Sequence, residues 1–465
     1  MSTITKKLTS RLYDSSKIDW QNLSFSNRDI KNLLVPLVIQ QLLTSLMGMI
    51  DTMMVSRVGS AAISAVSLTD SINVLVIQVF AALAAGGTII CSQYIGFQDH
   101  KKANEAARQL FFSIFIISFS IGAVCILLRQ PLLHLVFGQV EPKVMNYSSV
   151  YFALTAASFP FIALFEAGGS FYRAAGNSRF PMIVSVIANL VNIVGNAIFI
   201  FVFHWGVMGA ALATLLSRAL NAVILLVCLR KPKQVIVVKD YLTIRPDFKM
   251  ILRILAIGVP SGIENGMFQF GKLAIQSSVS TLGTTAIAAN AMTIILENLN
   301  GIAGIGIGIG LMTVVGQCIG AGKEEEAKYY VVKLTGIAEI AVTTSCLIVF
   351  AAAKPVMVLA GMEPKAAEMC WAMIVFVTLT KPFVWTLSFV PVYGMRAAGD
   401  VRFSMITSSL TMWLCRVVIA VCLIRFFGFG PIAVWIGMAS DWAVRAVIFT
   451  IRFRSGRWLR HKVIG

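Results

Sequence analysis

The sequence predicts an all-α polytopic membrane protein of 12 transmembrane helices in two parallel six-helix repeats, and three observations carry that expectation. Apolar residues are 57% of the 465-residue chain and charged residues only 13%, against about 25% charge in soluble domains; mean hydropathy is +0.82. Apolar runs of about 20 residues recur along nearly the whole length, as helices crossing a ~30 Å hydrocarbon core require, whereas a barrel would show short alternating strands. Third, one basic string is written twice. RAAGNSRFPM (Arg173 to Met182) and RAAGDVRFSM (Arg396 to Met405) agree at seven of ten positions.

Residues 1–32 are polar and mixed in charge, without the apolar core and small-residue cleavage site of a signal peptide, and read as a cytoplasmic tail with some amphipathic character. Spans are expected at roughly 33–57, 71–96, 109–130, 146–171, 181–203 and 207–229, forming an N-terminal lobe of residues 33–229. The polar stretch RKPKQVIVVKDYLTIRPDFK lies in the only long cytoplasmic linker, 230–250. Six more spans, at roughly 252–280, 293–319, 332–353, 367–393, 404–426 and 431–451, form a C-terminal lobe of residues 251–452, and 453–465 form a second tail.

Net charge is +18, and the placement of the charges decides its meaning. With successive loops assigned to alternate sides, 28 of the 39 Lys and Arg share the side of the N-terminus. Six (Arg57, Arg129, Lys143, Lys354, Lys365 and Arg425) lie opposite, and five lie within spans. The positive-inside rule then places both termini in the cytoplasm. The basic balance is topology, with membrane lipids, anionic ones above all, as its partner; no nucleic-acid partner is expected.

The repeat reaches well beyond RAAG. VSRVGSAAISA (Val55 to Ala65) matches VSTLGTTAIAA (Val279 to Ala289), SQYIG at Ser92 matches GQCIG at Gly316, and Val35-Pro36 matches Val259-Pro260, each offset by 224; EPK at Glu141 and Glu363 and PF at Pro160 and Pro382 are offset by 222. A near-constant offset marks an internal duplication. An even number of spans per repeat sends both halves into the membrane in the same orientation, and transporters built this way tend to bind substrate between halves that rock against each other. Within RAAG, Arg173 and Arg396 suit a helix C-terminus on the cytoplasmic side, and Gly176 and Gly399 suit a left-handed helix end.

The eight cysteines form no C-x-x-C pair and the four histidines no zinc pattern, so no disulfide, metal cluster or cofactor is expected. A charge near the bilayer centre costs roughly 2.5–3.5 kcal/mol on insertion scales, so each one needs a reason. Asp51 has no basic residue within one turn. Asn189, Asn192 and Asn196, at i, i+3 and i+7, fall on one face of the fifth span. Thr214 lies among small residues of the sixth, which allow close packing. Carboxylate, amide and hydroxyl oxygens suit a hard cation such as Na+, and a carboxylate in a poorly solvated site readily carries a proton. Asp51 facing Asn192 and Asn196 would suit either coupling ion, H+ or Na+; these three form a metal site only if the ion is Na+. An Asp held by interhelical hydrogen bonds for packing alone is the alternative.

In the second half, Glu264 and Lys272 share a face of the seventh span, which suits a cavity wall or an ion pair with another helix. Together with Asn189 and Lys381 of the tenth span they are candidates for cavity or secondary coupling roles. Arg416 lies in the eleventh span; Asp441 and Arg445, at i and i+4 in the twelfth, are expected to neutralise each other. The run GIAGIGIGIG (Gly301 to Gly310) is not followed by the Lys-Ser or Lys-Thr of a phosphate loop and reads as close helix packing or a flexible span.

Taken in order, DTMMVSRVG closing the first span, GAALAT in the sixth and RAAG after the fourth and tenth resemble the multidrug and toxic compound extrusion (MATE) family of the MOP flippase superfamily. The resemblance extends from about Leu33 to Arg452. It implies a V-shaped pair of six-helix lobes that exports organic cations and other amphipathic drugs or metabolites in exchange for H+ or Na+. It also implies that the acidic first-span residue is Asp51, the fifth-span polar pair Asn192 and Asn196, and the sixth-span threonine Thr214. Some members carry an aspartate where this chain has Asn196, which leaves one carboxylate in that set. Glu264 lies close to the acidic seventh-span position of the NorM-type branch, and Trp385 stands near the tenth-span one. The expectation is therefore a monomeric antiporter in the plasma (inner) membrane of a prokaryote, with a small amphipathic or cationic substrate. A lipid-linked oligosaccharide or lipid flippase of the same superfamily is the alternative within transport. A membrane-embedded enzyme is the alternative from another class, although no HExxH, serine–histidine pair or paired intramembrane aspartates are visible.

Overall fold

The computed structural model describes residues 12–464 except 139, 233, 240, 242, 243 and 462, so residues 1–11 of the expected tail and four positions of the linker lie outside the described residues. Among the described residues there is no strand. The first half contains α1 (Asn27–Ser56), α2 (Ser60–Gly96), α3 (His100–Leu127), the short α4 (Arg129–Phe137), α5 (Pro142–Ala157), α6 (Phe159–Ala174), α7 (Arg179–Asn196) and α8 (Gly206–Leu229). The second contains α9 (Phe248–Ser280), α10 (Thr284–Gly320), α11 (Glu324–Leu359), α12 (Pro364–Ala397), α13 (Val401–Thr411), α14 (Ile419–Phe427) and α15 (Ile432–Arg454). Two π-helical segments, Ala197–Val202 and Met412–Val418, extend α7 and join α13 to α14.

Ten helical segments among the described residues are long and apolar enough to cross a membrane, and the α5–α6 pair, bent by 41°, makes an eleventh. The remaining long helix, the 33-residue α9, carries Lys249, Arg253, Glu264 and Lys272. Two details differ from the expected spans. Several helices run beyond their apolar stretch: α2 starts at Ser60 rather than near 71, and α11 at Glu324 rather than near 332. Three glutamates fill the first turn of α11, where they complement the positive end of the helix dipole. The fourth span is broken at Ser158. Pro160, two residues on, has no N–H for the Ala156 carbonyl four residues back, and Ser158 Oγ donates to the Thr155 carbonyl at 2.6 Å. Its counterpart α12 runs unbroken through Pro382 and Pro391.

The two RAAG turns are built alike. Gly176 and Gly399 adopt φ of 80° and 96°; Asn177 N donates to Tyr172 O at 2.8 Å and Asp400 N to Met395 O at 3.0 Å. These are the bonds of a glycine-terminated helix end, as the sequence predicts.

The chain forms two compact units, Lys31–Gly262 and Ile263–Gly465 with the N-terminal residues up to Ile30. These differ from lobes bounded at 33–229 and 251–452. In the first unit the 37-residue α2 is central, packing on α3, α5 and α6, while α8 packs on α5, α6 and α7. The first half of α9 belongs here because glycines let it meet α2 backbone to backbone. A Cβ on Gly86 would lie 2.9 Å from Ile254 O, and one on Gly258 would lie 2.9 Å from Leu83 Cα.

In the second unit α10 is central, packing on α11 and α12, and α12 packs on α15. The glycine run is a packing seam: Gly301 faces the Trp385 ring at 3.3 Å from its would-be Cβ, and Gly304 and Gly308 face Trp385 and Tyr393 still more closely. Residues 12–26 are docked and do not form a free tail. Tyr330 Oη of α11 donates to Phe25 O at 2.7 Å and accepts from Phe25 N at 3.1 Å. Lys323 Nζ donates to Asn22 O at 3.1 Å, and Tyr13 and Trp20 stack edge-on against Tyr329. Phe25 and Ile18 are buried, which supplies the apolar reason for docking.

Candidate functional site

The residues singled out on α1, α7 and α8 meet inside the first unit. Asn196 Nδ2 donates to Asp51 Oδ1 at 2.8 Å and to Asn192 Oδ1 at 3.1 Å. Asn192 Nδ2 in turn reaches Thr214 Oγ1 at 3.4 Å and Ser217 Oγ at 3.5 Å. Helical spacing explains the α7 side: residues four apart lie one above the other on one face. On α8 the small residues Gly209, Ala210, Ala211 and Ala213 are buried, which brings Thr214 and Ser217 close. Asn196 is 1% exposed, and its Oδ1 is a buried acceptor without a hydrogen-bond partner among the described residues. That oxygen, next to the Asp51 carboxylate, is what a hard cation needs. The donor set therefore fits Na+ as well as a proton.

This chain of polar groups borders a cavity of about 400 Å³, whose walls include Asp51, Asn189, Asn192, Thr214, Arg218 and Glu166. Asn189 thus lies at the cavity, as its place on the Asn192 face suggests. Sequence reasoning missed the other charged members. Glu166 stands 3.8 Å from Arg173 Nη2, so the first RAAG arginine is tied to an acid two turns earlier on its own helix. Arg218 donates to Ser158 Oγ at 2.8 Å, at the break between α5 and α6. Asp70 of α2 accepts from Asn73 Nδ2 at 3.1 Å and Tyr151 Oη at 3.4 Å. Placing the second span at 71–96 left Asp70 in a loop; Gly59 followed by a run of small residues was the available signal for the earlier start.

The second unit carries its charges differently. Glu264 Oε2 lies 2.6 Å from Arg396 Nη2, so the second RAAG arginine pairs across helices, and Glu264 is buried in that pair. Lys381 has 0% exposure and lies 2.5 Å from Glu297 Oε1, with the rings of Trp385 and Trp442 at 4.9 and 5.9 Å. It is a packed ion pair. Asp441 is held by two arginines, Arg416 Nη2 at 2.6 Å and Arg445 Nε at 3.2 Å, so the expected i, i+4 pair is a triad. Lys272 is exposed at the surface of its unit and has no ion-pair partner within 4 Å among the described residues. The position equivalent to Asp51 is the buried, apolar Ile275, and the second unit has no copy of the first unit's polar set there.

A twice-built helical membrane protein with a polar, acid-bearing cavity in one repeat is the architecture of a solute transporter. Residues 36–198 and 260–422 each match the MatE family, and the chain belongs to that family. The two matches begin 224 residues apart, the offset of the internal repeat. It is 26% identical over 448 residues, 94% of each chain, to the probable multidrug resistance protein NorM of Thermotoga maritima. It is also 26% identical over 435 residues, 91% of this chain and 93% of the other, to the uncharacterized transporter YisQ of Bacillus subtilis. Among solved structures, the crystal structure of MATE in complex with MaL6 superposes with a TM-score of 0.84 at 21% identity, covering 96% of this chain and 97% of that one. The fold is that of the MATE transporters.

Proposed function

We propose that the protein is a secondary active antiporter that exports organic cations or amphipathic drugs and metabolites in exchange for H+ or Na+, with Asp51 as the coupling carboxylate. The observation that carries this reading is the chain Asp51–Asn196–Asn192–Thr214 at the wall of the 400 Å³ cavity. Relatives bearing the names multidrug resistance protein NorM and multidrug export protein MepA support export over an enzymatic role.

Competition for one carboxylate is the physical basis of exchange. With Asp51 ionised, its charge attracts a cationic substrate in the cavity, and Asn196 Nδ2 makes a charge-assisted bond to Oδ1. A proton on Asp51 removes that charge. A sodium ion would instead draw on Asp51, Asn192 and Asn196 oxygens and cancel the charge. Either ion therefore discharges the substrate. Asn192 orients Asn196 and is itself bonded to Thr214; neither holds a charge. Alternating exposure of the site would come from rocking of the two lobes, in a plasma membrane with both termini cytoplasmic. Neither a prosthetic group nor a nucleic-acid partner enters this cycle, and one chain would suffice for it.

The flippase reading calls for a strongly cationic cavity, whereas Lys381 is buried against Glu297 and Arg218 shares the cavity wall with the acids Asp51 and Glu166. Efflux of a cationic dye from proteoliposomes tests the proposal: Asp51→Asn should abolish ion-driven efflux while leaving the protein folded. Undiminished efflux by that variant would refute the assignment.

A further inference from the structure

Within the first unit the charges near Asp51 do not balance. Asp51 and Arg218 line the same cavity, while Asp70 bonds to Tyr151 and Arg218 to Ser158, two turns apart along α5 and its C-terminal cap, so two carboxylates and one guanidinium gather there. Asp70 accepts hydrogen bonds from Tyr151 of α5 and Asn73 of its own helix. Tyr151 and Asn73 are neutral donors, and Thr155 satisfies Asn73 in turn at 3.2 Å. The other charged pair at the cavity, Glu166 with Arg173, is neutral as a pair. Arg218 forms no ion pair within 4 Å among the described residues. It donates to the Ser158 hydroxyl at 2.8 Å, so it is committed to neither carboxylate.

We propose that Asp70 is a second acidic member of the cation site, and that it and Arg218 together set the site's charge so that one monovalent cation neutralises it. This rests on Asp51 being the cation-binding carboxylate. The arithmetic is simple. Two ionised carboxylates and one guanidinium leave a charge of −1 in a poorly solvated place, where uncompensated charge is costly. One cation at Asp51, whether a proton, Na+ or an organic cation, brings the group to zero. Arg218 then neutralises Asp70. Without a cation, Arg218 is shared between both acids. Asp70 itself lies off the cavity wall, so it acts through charge and not through contact with substrate.

The signs of the variant effects distinguish this from a packing role. Asp70→Asn leaves Asp51 and Arg218 internally neutral, so cation affinity should fall. Arg218→Gln leaves two unbalanced carboxylates, so cation affinity should rise. The Asp70→Asn/Arg218→Gln double variant returns to −1 and should bind about as the natural protein does. A unit charge about 10 Å away in a medium of intermediate dielectric is worth roughly tenfold in affinity in each direction.

The experiment is equilibrium binding of tetraphenylphosphonium to the purified full chain in detergent at constant pH and ionic strength, with size-exclusion profiles to confirm folding. Opposite shifts for the two single variants, and recovery in the double, support the proposal. Loss of affinity in both single variants, or no change in Asp70→Asn, overturns it. Should Asp70→Asn not fold, Arg218→Gln alone decides: tighter binding supports the proposal, and unchanged or weaker binding overturns it. Asp51→Asn separates the two levels. If it binds as tightly as the natural protein, the coupling assignment itself has failed, whatever Asp70 does.

Discussion

Replacing Lys381 with Met strands a carboxylate inside the second unit. Lys381 Nζ lies 2.5 Å from Glu297 Oε1 and 3.1 Å from the Glu297 carbonyl, and the two residues are 0% and 8% exposed. Methionine fills most of the space of the lysine stem, so little packing is lost. What is lost is the one cation paired with Glu297 among the described residues, and breaking a buried pair from one side costs about 3–5 kcal/mol. The face of Trp385 also loses its cation, an interaction worth up to about 2 kcal/mol where it is desolvated. In a cooperative unit of roughly 200 residues each kcal/mol moves the melting temperature by about 2–4 °C, so the drop should be on the order of 10 °C. Thermal unfolding of the detergent-solubilised protein, followed by circular dichroism, measures it. The Lys381→Met/Glu297→Gln double variant should recover most of the loss, because no charge is then left unpaired. A single variant that melts within about a degree of the natural protein would refute the argument, as would a double variant no better than the single.

Other consequences follow from the packing. Tyr330→Phe removes the hydroxyl that serves both the N–H and the carbonyl of Phe25, worth about 1–3 kcal/mol as unmet buried groups; limited proteolysis should cut between residues 12 and 25 faster than in the natural protein. Gly258→Val should lower the melting temperature through about 1–3 kcal/mol of overpacking, since even a Cβ there would lie 2.9 Å from Leu83 Cα. Gly266→Ala, with open space around the added carbon, should be neutral or gain up to about 1 kcal/mol of helix propensity. Glu264→Gln leaves Arg396 without its acid at 2.6 Å and should destabilise the second unit, with Glu264→Gln/Arg396→Met closer to neutral.

The elements and the polar face of α7 were legible because each depends on spacing within one segment. Hydropathy locates a helix crossing lipid, and 100° per residue places Asn189, Asn192 and Asn196 on one face. The duplication was legible too, because turns such as RAAG need particular residues to end a helix. Helix ends were not: α2 and α11 continue through polar turns that hydropathy counts as loop. Asp70 was lost for that reason. Partners across helices were also out of reach. Glu264 and Arg396 are 132 residues apart and Lys381 and Glu297 are 84 apart, and no pattern within one helix names an ion-pair partner on another. A buried lysine neutralised by glutamate and a lysine lining a cavity look the same in a single span. The docked N-terminal segment was hidden likewise, since its aromatic residues read as mild amphipathicity until α11 supplies Tyr329 and Tyr330.

The proposed exchange of a cation for substrate at Asp51 is measurable in proteoliposomes loaded with a cationic dye, with a sodium gradient and a pH gradient imposed separately across the membrane. At least one gradient should drive dye transport against its own concentration gradient, and Asp51→Asn should abolish this while still folding. Transport indifferent to both gradients, or equally strong in Asp51→Asn, would contradict it.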